Sequence, residues 1–171
     1  MILISIGANL PGPDGAPPLT TCQRAAAALD ALPGLRLRGL SRWYATVPIL
    51  EPGDPPGAQP AYVNGIAHLS PAPGMVVDPA ELLARLMAIE AAAGRVRGER
   101  HAARVLDLDI VAMGDLVREV PDPILPHPRA HLRAFVLVPL AEVAPGWVHP
   151  VLRKTAAALL AGLPDQGVRV L

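Results

Sequence analysis

Short apolar runs separated by turn residues predict five β-strands in this chain. Residues 2–8 and 62–69 are apolar runs of strand length, and residues 35–44 alternate between apolar or small residues and mostly basic ones. Another strand is predicted from residue 106, where apolar residues alternate with two aspartates, and a short strand is predicted over 116–118 after a glycine turn. Strands therefore open the chain and recur between its helical stretches.

The helices are predicted from their start signals and apolar spacing. Residues 20–32 are rich in alanine, and either Thr20 or Thr21 is expected to cap this helix. Residues 78–81 read Asp-Pro-Ala-Glu, which places Asp at the N-cap, Pro at the first helical position and Glu at the third. Further helical segments are expected over residues 129–143 and 154–162.

The order of these elements, βα ββ α ββ, predicts an α+β fold rather than an alternating parallel sheet. We expect a ferredoxin-like αβα sandwich with a mostly antiparallel central sheet. At 171 residues the chain can bury a core of its own, and we expect one domain over residues 1–171. Aromatic residues make up only 3% of the chain, so Ala, Leu, Val and Ile must build that core.

Composition limits which binding partners and which cellular compartment we expect for this protein. The formal net charge is zero, so the protein as a whole has no field that attracts nucleic acid or an anionic membrane. No apolar run reaches the ~18 residues of a membrane span. Cys22 is the single cysteine, which fits a reducing compartment, and we predict a cytoplasmic protein. No stripe of residues marks an interface, and we expect a monomer.

Two loops differ from ordinary connections. Residues 47–58 contain four prolines and two glycines, so this stretch is either a stiff connector or a lid, and its length favours a functional role. The glycine turn at residues 7–12 is followed by Pro13 and Asp14, whereas a P-loop requires a lysine there. A P-loop nucleotide site is therefore excluded.

The stretch 94–110 carries the most specific chemistry. Four arginines fall within residues 95–104 and lead into a strand that contains Asp107 and Asp109. Because successive strand side chains point to opposite faces, these two carboxylates share one face. Like charges at that spacing repel and tend to raise one pKa, and a divalent cation would reverse this effect. Oxygen ligands suit Mg²⁺, which takes one or two carboxylates and completes its shell with water and phosphates.

Two interpretations of this carboxylate pair stay open on these residues alone. The first is a magnesium–phosphate site bordered by a basic loop. The second is an exposed strand face whose aspartates form surface salt bridges with nearby arginines, since structural networks also perturb carboxylates. The glycine-bearing basic loop favours the first interpretation.

Three blocks and an opening turn, in a specific order and spacing, point to a known family. The turn is Gly7-Ala8-Asn9-Leu10, and the blocks are Tyr44-Ala45-Thr46-Val47-Pro48 with Gln59-Pro60-Ala61-Tyr62-Val63-Asn64; Ile89-Glu90, Gly94-Arg95, Arg104 and Leu106-Asp107-Leu108-Asp109-Ile110; and Leu125-Pro126-His127-Pro128-Arg129 with Arg133-Ala134-Phe135-Val136-Leu137. Together they resemble the 6-hydroxymethyl-7,8-dihydropterin pyrophosphokinases of folate biosynthesis. The resemblance spans roughly residues 3 to 150.

The resemblance implies a reaction and a set of residues that perform it. The β,γ-pyrophosphoryl group of ATP, the co-substrate, would move to the hydroxymethyl oxygen of the pterin and release AMP. Asp107 and Asp109 would hold two Mg²⁺ ions, while Arg95 and Arg104 would stabilise the migrating phosphates. Further contacts to ATP would come from Glu90, Arg97, Arg100, His127 and Arg133.

The resemblance also implies a pterin pocket. The flat heterocycle, 6-hydroxymethyl-7,8-dihydropterin, would stack between Tyr62 and Phe135, whose alternative interpretation is simple core packing. Asn64 could offer a donor and an acceptor to the pterin amide edge. That edge would be completed by Thr46 and by the backbone of Val47 and Ile49.

Three departures from the family pattern concern the loop and the adenine contacts. Ala102-Ala103 stands where Gly-Pro is frequent, His101 replaces an aromatic residue, and Met87 replaces a glutamine found in some members. Loop closure could therefore be altered, and the adenine contacts are the least transferable part. Residues from about 151 onward carry no recognisable site and are expected to pack.

Two rival functions remain. One is a binding module that keeps the sandwich and the pterin or anion pocket but has lost catalysis, against which the retained arginines and aspartates argue. The other is a different Mg²⁺-dependent nucleotidyl or phosphoryl transferase, against which only the pterin-side residues argue.

Overall fold

The computed structural model describes residues 1–47, 60–95 and 104–171. All of the proline-rich stretch except Val47, and with it the predicted pterin contact Ile49, lies outside these ranges. So do the predicted ATP contacts Arg97 and Arg100 and the departures His101 and Ala102-Ala103.

The described chain alternates short strands with helices on both sides of one sheet. Its elements are β1 (Ile2–Ala8), α1 (Pro18–Asp30), β2 (Leu35–Leu40), β3 (Tyr44–Thr46), β4 (Tyr62–Pro71), α2 (Pro79–Ala92), β5 (Asp107–Met113), a 3₁₀ turn (Ala130–Leu132), α3 (Ala134–Val143), α4 (Ala156–Leu160) and β6 (Arg169–Val170). The strands run in the order β5-β1-β4-β3-β6, and β2 also pairs with β4. Every described pair is antiparallel, which confirms the predicted α+β fold.

Two hydrophobic cores lie on the two faces of the sheet. The first, which we call the α1/α2 core, joins Ile4 of β1 to Leu29 of α1 and Leu86 of α2. The second, the α3/α4 core, joins Leu3 of β1 to Leu137 of α3. Leu3 and Ile4 enter different cores because successive strand residues point to opposite faces. The predicted αβα sandwich is therefore confirmed.

A β-bulge in β5 changes which face its residues reach. Leu3 pairs with Ala112 and Ile4 pairs with Ile110, so Val111 is an extra residue on β5. Ile110 enters the α1/α2 core, and Val111 enters the α3/α4 core. The Val111 carbonyl accepts a hydrogen bond of 2.9 Å from the backbone N–H of His127, so the bulge fixes the loop that carries this histidine.

Helix α3 is tied to the edge of β3 by a carboxylate. Glu142 accepts hydrogen bonds from the Tyr44 hydroxyl at 2.6 Å and from Arg42 Nε at 3.1 Å. These two donors hold the pKa of Glu142 below its ordinary value against the effect of desolvation. The contact places the α3 layer directly over the strand that ends at Thr46.

The prediction for the α2 start is confirmed, but the α1 start was wrong. Asp78 is the N-cap of α2, and its side chain accepts from the Glu81 N–H at 2.9 Å. Helix α1 instead begins at Pro18, two residues before the predicted threonine caps. Proline fits the first helical position because that backbone N–H would have no intrahelical partner.

Three other predicted boundaries differ from the structure. The strand predicted over 35–44 is divided after Leu40, because the Ser41 hydroxyl accepts the Ile66 N–H at 2.9 Å in place of a ladder carbonyl. Residues 116–118 form only one bridge, between Arg118 and Leu125, since the prolines that follow supply no N–H groups. The helix predicted over 129–143 is divided at Arg133, whose backbone is extended.

No helix within the described ranges is both long enough and apolar enough to cross a membrane.

A buried histidine predicts how stability responds to acid. His149 packs against Trp147, and its Nδ1 accepts from the N–H groups of Val151 at 3.3 Å and Leu152 at 3.2 Å. Burial, and secondarily the neighbouring His131, lowers the pKa of His149. The contribution of His149 to the free energy of unfolding is therefore fully present above pH ~6.5, the ordinary histidine pKa, and is lost as the pH falls below that value.

We expect His149→Asn, which keeps an acceptor near Nδ1 but cannot titrate, to weaken this acid dependence. Urea unfolding at pH 7 and pH 5 should show a larger loss of unfolding free energy for the parent protein than for the variant. Equal losses would contradict the assignment.

Candidate active site

Three strands bring polar residues side by side at one end of the sheet. Gly7 on β1 pairs with Asn64 on β4 and with Asp107 on β5. Residues paired directly across an antiparallel sheet share a face, so Asn64 and Asp107 flank Gly7. A Cβ atom on Gly7 would lie 3.0 Å from Asn64 Oδ1. Because Gly7 has no side chain, space is left between the side chains of Asn64 and Asp107.

The carboxylate pair lies on this face. Leu108 and Ile110 are buried in the α1/α2 core, so Asp107 and Asp109 point toward the α3 layer, as the strand period predicts. Desolvation raises the pKa of Asp109 to about 6, and the Asp107 carboxylate adds to this effect. Arg133 and Arg104 act in the opposite direction. A cation at this position would offset the electrostatic repulsion between the two carboxylates.

Both arginines predicted to act on phosphate contact the same carboxylate oxygen. Arg95 Nη1 donates to Asp107 Oδ1 at 2.8 Å, and Arg104 Nη1 donates to it at 2.5 Å. The side chains of Arg95, Arg104 and Asp107 are 21%, 30% and 24% exposed. These ion pairs are thus partly buried, unlike the exposed salt bridges of the alternative interpretation.

Glu90 links this cluster to the edge of the sheet. Its Oε1 accepts from Arg95 Nη1 and from the Leu108 N–H, the latter at 2.7 Å. The carboxylate is buried, and desolvation raises its pKa. Glu90 therefore satisfies a backbone donor of β5 and holds Arg95 beside Asp107.

The donor set of the carboxylate pair fits Mg²⁺ bound together with a phosphate ligand. Within residues 1–47, 60–95 and 104–171, no three His, Cys, Asp or Glu side chains converge as a metal cage. Mg²⁺ in proteins often uses only one or two carboxylates and takes its other oxygens from water and substrate phosphates. Asp107 and Asp109 are such a pair.

A further guanidinium near the carboxylate pair belongs to Arg133, at the start of α3. In the described part of the chain, the buried Nε of Arg133 has no hydrogen-bond partner, and its guanidinium lies 5.5 Å from the centre of the Phe135 ring. Burial, followed by repulsion from Arg129, lowers the pKa of Arg133, whereas Asp109 opposes this shift. A buried donor of this kind is favourable only with an acceptor, so the geometry suits an anionic ligand.

His127 lies near this guanidinium. Its Nδ1 accepts from the Arg129 N–H at 3.1 Å. Desolvation, with a smaller effect of Arg133, lowers the pKa of His127 to about 4. The ring is therefore neutral at pH 7, and its Nε2–H is the donor that remains for a ligand.

Three of the residues predicted to bind the pterin, Thr46, Tyr62 and Asn64, lie on β3 and β4, on the other side of Gly7 from Asp107. Asn64 is 3% exposed, and its Nδ2 donates to Thr46 Oγ1 at 2.8 Å. Tyr62 pairs with Thr46 across β4 and β3, and burial raises the pKa of its hydroxyl. Phe135 packs partly into the α3/α4 core, whereas Val47 is 68% exposed.

Asn9 is a site residue to which the sequence analysis gave no role. Its Oδ1 accepts from the Arg104 N–H at 2.7 Å, and its Nδ2 donates to the Pro60 carbonyl at 3.3 Å. The Asn9 N–H also donates to the Arg104 carbonyl at 3.0 Å. Asn9 thus joins the start of β4, which carries Tyr62, to the backbone of Arg104. The turn Gly7-Ala8-Asn9 was the only signal in the sequence that could have indicated it.

Comparisons with known proteins agree with this geometry. Residues 3–145 match the family 7,8-dihydro-6-hydroxymethylpterin-pyrophosphokinase (HPPK). The chain is 38% identical to the 2-amino-4-hydroxy-6-hydroxymethyldihydropteridine pyrophosphokinase of Pseudomonas aeruginosa over 167 residues, which cover 98% of this chain and 94% of the relative. It is 38% identical to the enzyme of the same name from Synechocystis sp. over 158 residues, or 92% of this chain and 73% of that one.

The fold is similar to that of the crystal structure of wild-type Plasmodium falciparum HPPK-DHPS with pteroate. The TM-score is 0.65 at 14% identity, which concerns the fold alone. The alignment covers 94% of this chain and 41% of the larger one, so the chain spans about two fifths of that protein.

The family match extends over most of the chain and includes the residues gathered around Gly7. The chain therefore belongs to the 6-hydroxymethyl-7,8-dihydropterin pyrophosphokinase family and transfers pyrophosphate from ATP to the hydroxymethyl group of the dihydropterin in folate biosynthesis.

Proposed function

We propose that the transfer takes place over Gly7, between the carboxylate pair on β5 and the Asn64–Thr46 pair on β4 and β3. The observation that carries this proposal is the register that places Asn64, Gly7 and Asp107 in one row across three strands. The carboxylates on one side of this row suit the metal-bound triphosphate of ATP. The Asn64–Thr46 pair on the other side suits the pterin heterocycle. The glycine leaves room for the reacting groups to meet.

Asp107 and Asp109 would hold two Mg²⁺ ions together with the triphosphate. Metal ions in such a pair neutralise charge on the transferred group and orient the attacking oxygen. The support for this role is that both carboxylates lie on one face of β5, where desolvation and the Asp107 carboxylate raise the pKa of Asp109 and so favour a cation.

Arg95 and Arg104 would exchange their acceptor when ATP binds. In the structure, both guanidinium groups donate to Asp107 Oδ1. A triphosphate carries more charge and more acceptor oxygens than one carboxylate, so it is the better partner for the two guanidinium groups. We propose that both arginines turn from Asp107 to the phosphates and stabilise the charge that develops on them during transfer.

The remaining ATP contacts would come from the α3 side and from the loop. Arg133 offers its Nε, which has no hydrogen-bond partner among the described residues, and the neutral ring of His127 offers Nε2–H. Glu90 would act through Arg95, which it holds beside Asp107. Arg97 and Arg100 remain predicted ATP contacts outside the described residues.

The pterin would stack between Tyr62 and Phe135. Asn64 would read its amide edge, with Thr46 Oγ1 fixing the orientation of the Asn64 amide. The exposed Val47 and the undescribed Ile49 would complete this edge through their backbones.

We also propose a monomeric, single-domain enzyme in the cytoplasm. The single cysteine, Cys22, is buried, and desolvation raises the pKa of its thiol to about 12, which suits a packing residue. In the sequence, no stripe of residues marks an interface.

Pterin affinity tests the stacking role directly. We expect Tyr62→Ala to weaken pterin binding by about 5- to 150-fold, since removing an aromatic platform beneath a base costs about 1–3 kcal/mol. Tyr62→Phe is the matched control and should bind almost normally. A fluorescence titration with the dihydropterin would measure both, and unchanged affinity in the alanine variant would refute the stack.

The reaction assay distinguishes the rival transferases. The protein is mixed with ATP, Mg²⁺ and 6-hydroxymethyl-7,8-dihydropterin, and controls omit the pterin or the metal. AMP should form only in the complete mixture. ADP formation would indicate γ-phosphoryl transfer, and pterin binding without turnover would indicate a binding module.

A further inference from the structure

A glutamine near the end of this sequence brackets Arg133. Gln166 lies between α4 and β6, and its Oε1 accepts from the Ala134 N–H at 2.8 Å. Its Nε2 donates to the Leu132 carbonyl at 3.1 Å. One amide side chain therefore binds the two backbone groups on either side of Arg133. It lies outside the part of the chain that the family match covers.

The backbone at Arg133 needs support of this kind. Arg133 is the N-cap of α3 and has an extended conformation, and its own side chain does not cap the helix. The first N–H groups of a helix have no intrahelical acceptor, so Ala134 needs an acceptor from elsewhere. Gln166 supplies it, and at the same time satisfies the last carbonyl of the preceding 3₁₀ turn.

The position of the Arg133 guanidinium depends strongly on this backbone. Its Nε has no hydrogen-bond partner in the described part of the chain, and the contact seen on the guanidinium is the Phe135 ring two residues later. Arg133 and Phe135 both lie at the start of α3. A shift of this turn would move the cation and the ring together.

The same segment also reaches the pterin side. Val170 pairs with Tyr44 and Arg169 pairs with Ala45, so β6 covers the outer edge of β3 directly before Thr46. The Leu171 N–H donates to the Trp43 carbonyl at 2.9 Å. Residues 166–171 therefore touch the backbones that carry the proposed ATP contact and the proposed pterin contact, although the sequence analysis expected only packing here.

We propose that Gln166 is a positioning residue for substrate binding, which holds the first turn of α3 so that Arg133 meets the phosphates of ATP. This role rests on the proposed ATP contact of Arg133. Gln166 touches neither substrate and acts through the peptide groups of Leu132 and Ala134.

A double-mutant cycle tests this proposal. Gln166→Met keeps the length of the side chain but removes both hydrogen bonds. We expect the KM for ATP to rise about 5- to 10-fold with kcat changed less than about 3-fold, which corresponds to about 1–1.4 kcal/mol of lost binding. In an Arg133→Ala background, the same substitution should add little, because the residue through which it acts is gone.

The controls separate positioning from folding and from the proposed site itself. Gln23→Met, at an exposed glutamine on α1, should leave the KM unchanged. Gln166→Asn, which is too short to reach both groups, should reproduce the KM effect if the methionine variant folds poorly. The affinity for α,β-methylene-ATP, measured by calorimetry well below the melting temperature, should fall in parallel.

Three results would overturn the proposal. A lower melting temperature with an unchanged KM would mean that Gln166 is only structural. An equal rise in KM with and without Arg133 would mean that it acts through another residue. An unchanged KM in Arg133→Ala itself would refute the ATP contact of Arg133 and, with it, this role of Gln166.

Discussion

Asp109→Asn is expected to abolish turnover while making the folded protein more stable at pH 7. The folded-state pKa of Asp109 is about 6, above its ordinary value of 3.8. The folded protein therefore holds this proton more tightly than the unfolded chain, and stability falls as pH rises from 3.8 through about 6. At pH 7 the ionised carboxylate destabilises the fold, and a neutral amide of the same shape removes that penalty.

Asp109→Asn is thus expected to lose activity but gain stability, and a variant that merely unfolded would not show this combination. We expect the free energy of unfolding to increase by about 1–3 kcal/mol, since one pKa unit corresponds to about 1.4 kcal/mol. The AMP formation rate should fall by about 10³-fold or more, because metal-based charge stabilisation contributes several kcal/mol to such reactions. Denaturant unfolding and an AMP assay measure the two quantities.

Asp115→Asn provides the matched control. Asp115 is exposed in the turn that follows β5, so its replacement should change neither quantity. Normal turnover in Asp109→Asn would refute the metal assignment. A destabilised variant would contradict the account of the crowded carboxylate pair.

Arg104→Ala is expected to lower kcat by about 10²- to 10³-fold while the KM for ATP changes less than about 3-fold. The guanidinium is bound to Asp107 in the structure, so the proposed contact to phosphate would replace an existing ion pair and would add little ground-state affinity. A contact that strengthens only as charge develops on the phosphates lowers the barrier instead. Steady-state kinetics with AMP detection would measure both parameters.

The control for this substitution is Arg36→Ala, at an exposed arginine on β2. It removes the same type of side chain at a position away from the carboxylates, and it should leave kcat and KM unchanged. Parallel losses in kcat and in ATP affinity for Arg104→Ala would indicate ordinary binding and not stabilisation of the transition state.

The strands, and the face that the two aspartates share, follow from local patterns. The two-residue period of a strand predicted that Asp107 and Asp109 share one face, and the apolar run over 62–69 predicted the strand that carries Tyr62 and Asn64. The start of α2 was predicted from Asp78 because an N-cap signal lies within four residues of sequence. Each of these features depends on neighbours along the chain.

The features that the sequence analysis missed depend on contacts between distant segments. Asn9 bonds to Arg104, 95 positions away, and Gln166 bonds to Ala134, 32 positions away. A polar residue in a loop has no periodicity that would reveal its partner. Ser41 divided a predicted strand for the same reason, since its hydroxyl bonds to Ile66 on a strand 25 positions away.

Counting bound metal ions tests the central claim most directly, namely that Asp107 and Asp109 form a two-metal site between ATP and the pterin. The probe is Mn²⁺, titrated by electron paramagnetic resonance in the presence of the dihydropterin and α,β-methylene-ATP, whose α–β bridge cannot be cleaved. We predict two bound ions per chain in the parent protein and fewer in Asp109→Asn. Two ions retained in Asp109→Asn, or a single ion in the parent protein, would contradict the account.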